Sequence, residues 1–208
     1  MNYEYLKKLI KEISKIMNEN KEYLIELDSV VGDGDLGLTM SDGFKAAYDA
    51  IYESDEKDCG KILYSAGKAM STAVPSTMGT LMASGLMEAG KALKGKENLQ
   101  NTDIVVLFEN YALGVQKRGK AKVGEKTFLD GIYPAVESLK ESINSNINIK
   151  QMSKLAYEAS KQGFESTTNM VAVHGRAATR GENSRTLKDP GACVAMFIMK
   201  AFENINDM

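Results

Sequence analysis

Apolar residues recur along this chain at spacings of three and four, with lysines and glutamates between them. That is the pattern of helices that bury one face. The first stripe runs through Leu6, Leu9, Ile10, Ile13, Ile16 and Met17. Seven more follow: Phe44 to Ile51, Ile62 to Ala73, Leu81 to Leu93, Phe108 to Val115, Phe128 to Ile143, Met152 to Ala159 and Ala192 to Phe202. No stretch alternates strictly enough to predict a strand. Asp103–Phe108 (DIVVLF) comes nearest, and it runs on into a helical stripe. The prediction is an all-α fold of about eight helices in one domain covering 1–208, built from antiparallel neighbours. Gly and Pro collect between the stripes, at Val31–Gly37, Val74–Gly79, Gly119–Lys126 and Gly175–Gly191. Pro134 falls inside the sixth stripe, so it is expected to kink that helix or to lie near its first turn.

Composition narrows the class without choosing the function. Hydrophobic residues make up 43% and charged residues 26% of the 208 positions, enough for a sizeable core. The net charge of −2 gives no general attraction to nucleic acid or to an anionic membrane, so neither partner is expected. Cys59 and Cys193 stand far apart and read as two reduced, buried thiols of a cytoplasmic protein, not as a disulfide framework or a zinc site. The start of the chain mixes charges at helical spacing, unlike a signal peptide, and no window approaches 18 uninterrupted apolar residues.

Four segments carry candidate chemistry. In LDSVVGDGDLG, Asp28, Asp33 and Asp35 place three carboxylates within eight residues. Such a set repels itself unless a cation sits between its members, and carboxylate oxygens suit Mg²⁺. The alternative is a solvated Gly-Asp turn capping a helix. Ser76, Thr77, Met78, Gly79 and Thr80 follow Pro75 and precede a stripe. They read as a phosphate-cradling helix start or as an ordinary N-cap. The loop from Lys117 to Thr127 is basic and broken by glycines. It reads as a polyphosphate neutraliser or as a solvated charged loop. Gly175–Ala192 is long and turn-rich, with Arg176 and Arg185 able to fork onto phosphate oxygens and Asp189 before a helix start. His174, the one histidine, lacks the neighbours of a catalytic triad and reads as structural or as a surface residue.

Taken in order, LDSVVGDGDLG, QKRGKAKVGEKTFLD and GRAATRGENSRTLKDPGA resemble the L subunit of dihydroxyacetone kinase, over nearly the whole chain. The resemblance implies a barrel of eight antiparallel amphipathic helices with ADP or ATP bound at one end through two Mg²⁺ ions on Asp28, Asp33 and Asp35. It implies nucleotide contacts at Leu36, Gly37, Leu38, Thr39, Thr77, Met78, Gly79, Gly119, Phe128, Arg176, Asp189, Pro190 and Gly191, with Arg176 also in the catalytic role. It further implies a K subunit that holds dihydroxyacetone on a histidine of its own, so His174 is not assigned that role. A phosphotransferase-system M subunit that recharges bound ADP, a transcription regulator and a homodimer are the other partners implied. A free-standing chain favours the M-subunit route over direct use of ATP. Three positions depart from the family's usual pattern: Leu36 replaces a histidine, Ser76-Thr77-Met78-Gly79 replaces a glycine-richer loop, and Phe128 stands where methionine is common.

Overall fold

The computed structural model describes residues 1–207, and among these it has nine α-helices and no β-strand. They are α1 (Tyr3–Glu19), α2 (Lys21–Val31), α3 (Leu36–Tyr52), α4 (Cys59–Ala73), α5 (Thr77–Ala92), α6 (Asn101–Gly119), α7 (Phe128–Asn144), α8 (Ile149–Ser166) and α9 (Pro190–Asp207). Two short 3-10 segments, Thr167–Asn169 and Arg176–Ser184, interrupt the long connection between α8 and α9. The all-α prediction is met. Asp103–Phe108 is helical, inside α6.

The eight stripes correspond to α1 and α3–α9; α2 was not foreseen. Its physical reason is plain. Only Leu24 and Val31 of α2 are buried, so it carries no stripe. It lies on α3 with lesser contacts to α1 and α9, outside the main packing. That packing runs as a closed ring: α1 on α3, then α4, α5, α6, α7, α8 and α9, with α9 returning to α1. α7 also meets α9 directly.

Side chains at the starts of the helices set several boundaries. Asn2, Asp58, Ser76, Thr127 and Asn148 each accept a hydrogen bond from a backbone N–H of the first turn. Inside the ring, Phe44, Phe108 and Phe202 are fully buried, the last two meeting edge-on with centroids 5.0 Å apart.

Two glycine contacts make the ring tight. A Cβ on Gly60 would fall 2.4 Å from the Gly90 carbonyl oxygen, so α4 and α5 touch backbone to backbone. Pro134 lies in the second turn of α7, which continues through it. Proline has no N–H, which leaves the Asp130 carbonyl without its helical donor. Gly163 of α8 packs onto that carbonyl, where a Cβ would approach to 2.3 Å. No helix among the described residues is long and apolar enough to cross a membrane.

Candidate functional site

The turn between α2 and α3 gathers the three aspartates. Asp28 occupies the last turn of α2, and Asp33 and Asp35 follow in the connection. Gly34 takes φ of 74°, a region glycine enters without strain, and its Cα faces Ser29 Oγ too closely for a side chain. The chain therefore doubles back, and one oxygen from each carboxylate lies within 4.8 Å of the others. Burial, and then the charges of Asp33 and Asp35, push the Asp28 carboxyl above its ordinary range, against hydrogen bonds from the Leu36 and Gly34 amides. The Leu36 amide donates to Asp28 Oδ2 at 3.4 Å. At such separations each pair of like charges costs about 1 kcal/mol in water and roughly 4 kcal/mol near a protein surface, so a cation between them is favoured.

One cation already reaches the set. Arg176, from the 3-10 segment, places Nη2 2.7 Å from Asp33 Oδ2. The two side chains are 65% and 43% exposed, so this pair contributes at most about 1 kcal/mol and exchanges easily for another anion.

The triad opens onto a cavity of about 790 Å³. Its lining also includes the apolar side chains of Met78, Leu81, Val115, Phe128 and Leu129. Phe128 rests on the buried Tyr111, centroids 5.9 Å apart. One cavity thus carries both the carboxylates and a set of apolar side chains.

The structure brings Leu36, Thr77, Met78, Gly119, Phe128, Arg176, Asp189, Pro190 and Gly191 into this cavity with Asp28, Asp33 and Asp35. Gly37, Leu38, Thr39 and Gly79 stand outside it. Gly37 packs on α2, where a Cβ would meet the Lys21 carbonyl at 2.2 Å. Gly79 packs on the Val74 carbonyl, and its amide donates to Ser76 Oγ at 3.0 Å. Leu38 and Thr39 line a smaller recess of about 300 Å³ that shares Asp35 with the main cavity.

Asp189 is buried, and burial pushes its carboxyl up to about 7. Its Oδ2 accepts from the Ala192 amide at 2.6 Å, capping α9. His174 also lines the cavity, its Nε2 2.6 Å from Glu125 Oε2, and this bond holds the Glu125 carboxyl below its ordinary range.

Sequence reasoning missed Lys126. It belongs to a basic loop that reads as a polyphosphate neutraliser or as a solvated charged loop, and Lys120 and Lys122 of that loop are exposed, but Lys126 is 3% exposed. A signal existed. Thr127 and Asp130 form a capping box at the start of α7, which makes Lys126 the residue just before the cap, a position that commonly packs inward.

Comparison with known proteins agrees with this geometry. The DAK2 domain family matches residues 30–204. The ADP-binding subunit DhaL of PEP-dependent dihydroxyacetone kinase from Escherichia coli K12 is 34% identical over 185 residues, 89% of this chain and 88% of that one. The corresponding subunit of PEP-dependent dihydroxyacetone kinase 2 from Listeria innocua is 29% identical over 208 residues, 99% of this chain and 96% of that one. The crystal structure of the C. freundii dihydroxyacetone kinase superposes with a TM-score of 0.74 at 19% identity, covering 96% of this chain and 34% of that longer chain, which shows a shared fold. A match that runs from the triad's own helix almost to the end of α9, joined to a subunit-length relative at 34% identity, places this chain in the DAK2 domain family, with the DhaL subunits of dihydroxyacetone kinase as its relatives.

Proposed function

We propose that this chain is the nucleotide-binding subunit of a dihydroxyacetone kinase, and that the observation carrying this reading is the single cavity lined by both the carboxylate cluster and a set of apolar side chains. A nucleotide calls for both kinds of lining, since it has a charged phosphate tail and a flat base. The cavity's size falls in the range of small-molecule sites.

The donor set fits magnesium. Three carboxylates, partly exposed and self-repelling, supply hard oxygen ligands without the nitrogen or sulfur that a zinc site uses. Asp28, Asp33 and Asp35 would hold two Mg²⁺ ions, which when bound neutralise the phosphates and fix them for in-line transfer. Arg176 would leave Asp33 for the transferring phosphoryl group, a move its exposure permits. Met78 and Phe128 would bracket the base, and Thr77 at the start of α5 would face the phosphates. The acceptor, dihydroxyacetone, would be presented by a separate K subunit. The relatives named PEP-dependent support ADP as a resident cofactor recharged by an M subunit. The kinase reading carries a cytoplasmic location with it.

A thermal-shift series with Mg²⁺ and ADP, ATP or neither tests the core of this proposal. Mg²⁺ and ADP together are expected to raise the melting temperature, by the equivalent of about 2.7 kcal/mol at a hundredfold excess over Kd, while neither alone does so. A shift with ADP that ignores Mg²⁺, or no shift, would overturn the assignment. Turnover of dihydroxyacetone with ATP and a K subunit, without phosphotransferase-system proteins, would reverse the choice of donor.

A further inference from the structure

Lys126 is a buried cation without an ion-pair partner among the described residues, and its backbone takes φ of 62°. A buried ammonium is costly unless its hydrogens are bonded, and a left-handed conformation at a residue with a side chain persists only where its surroundings fix it. Here the surroundings are backbone carbonyls. Lys126 Nζ donates to Thr167 O at 2.5 Å, Met170 O at 3.3 Å, Arg185 O at 3.2 Å and Leu187 O at 2.5 Å. Burial lowers its pKa, and the charge of Asp189 opposes that.

These four carbonyls are not scattered. Thr167 and Met170 stand where the connection from α8 to α9 begins, and Arg185 and Leu187 where it ends. One ammonium therefore pinches the base of the loop. Above the pinch the loop is braced on itself and on the neighbouring residue: Ser184 Oγ accepts from the Ala172 amide at 2.9 Å, and the Val173 amide donates to the Glu125 carbonyl. At the tip is Arg176, held to Asp33 by an exposed pair too weak to order the loop alone.

We infer that Lys126 is a positioning residue for Arg176, pinning both ends of the 167–187 loop at one point so that its tip reaches the carboxylate triad. An ammonium has three hydrogens, and the four carbonyls claim all of them. Lys126 also lines the cavity, but its hydrogens are engaged by these carbonyls, so its influence on a ligand passes through the loop. The effect on nucleotide rests on the proposed function above; the pinning of the loop does not.

The experiment compares Lys126→Met, which keeps the bulk and removes the charge, with Lys126→Gln and Lys126→Arg. Arg176, Arg180, Arg185 and Lys188 are ready trypsin sites within and beside the loop. Cleavage there is expected to be at least about tenfold faster in Lys126→Met than in the wild type, with the helical circular dichroism unchanged, and to fall in the order Met, Gln, Arg, wild type. If Lys126→Met does not fold, the Gln and Arg variants give the same ordering. Mg²⁺-ADP affinity by calorimetry is expected to drop roughly tenfold in Lys126→Met, with Arg176→Ala adding no further loss in the double variant. Equal cleavage rates in all forms, or losses that add in the double variant, would overturn the inference. A wild type that binds no Mg²⁺-ADP would sink the functional reading, and the cleavage rates would still decide whether Lys126 pins the loop.

Discussion

Two sets of aspartates lie at the same end of this molecule and behave in opposite ways. Asp130 is 2% exposed, yet its Oδ1 takes the Gly124 amide at 2.5 Å and its Oδ2 the Thr127 amide at 2.7 Å. Asp28, Asp33 and Asp35 are more open, crowd within 4.8 Å of one another, and share two amide donors, both on Asp28, and one exposed arginine. Burial alone would have marked Asp130 as the unusual group. Satisfaction of hydrogen bonds separates them better. A carboxylate whose oxygens are taken by the backbone belongs to the architecture, while a group of carboxylates left to repel one another is relieved when a cation sits among them.

The sharpest way to break this contrast is Asp33→Ala. Loss of one ligand is expected to weaken Mg²⁺-dependent ADP binding by at least about a hundredfold in calorimetry. The melting temperature without ligand should move by no more than about 2 °C, because only an exposed ion pair and some repulsion are lost. Unchanged affinity would end the metal assignment, and a large fall in ligand-free stability would place Asp33 among the architectural acids.

Asp130→Ala should do the reverse. Removing the Asp130 half of the α7 capping box takes the acceptor from the part-buried bonds of the Gly124 and Thr127 amides. A loss of about 2–4 kcal/mol in urea denaturation is expected. A cost below about 0.5 kcal/mol would mean that water reaches those amides.

Asp189 sits between the two sets, capped by amides yet pushed up to about 7 by burial. In the unfolded chain an aspartate titrates near 4. The folded state therefore holds the proton more tightly, and this group adds stability that is full below about pH 4 and lost as pH rises through about 7. Between pH 5 and pH 8 the wild type should lose about 2–3 kcal/mol that Asp189→Asn keeps, measured as the difference in urea midpoints. Parallel pH profiles for the two proteins would show that Asp189 remains charged throughout.

The ring of helices was readable in the sequence because each member buries a stripe. α2 escaped because it buries only Leu24 and Val31. The triad was visible as three nearby acids, and spacing alone left a Mg²⁺ grip and a solvated turn both open. Asp28 belongs to one helix and Asp35 precedes another, and only the doubled-back turn at Gly34 brings the oxygens together. Gly37 and Gly79 illustrate an ambiguity that spacing cannot resolve. A glycine near a helix start suits a phosphate, and here both also allow close approach of backbone to backbone. Lys126 lay beyond pattern reading for a different reason: its partners are main-chain carbonyls, which every residue carries, so no side-chain signature announces them.

The same lysine sets an order on assembly. Its carbonyl partners lie 41 to 61 residues further along the chain, at Thr167 and Leu187. During synthesis, which proceeds from the N-terminus, the triad and the first six helices leave the ribosome well before the pinch can close. The nascent site is then a bare acidic turn with no arginine beside it. Closure of the loop is a late, long-range event, so the competence of the site reports that the last third of the chain has been made and docked.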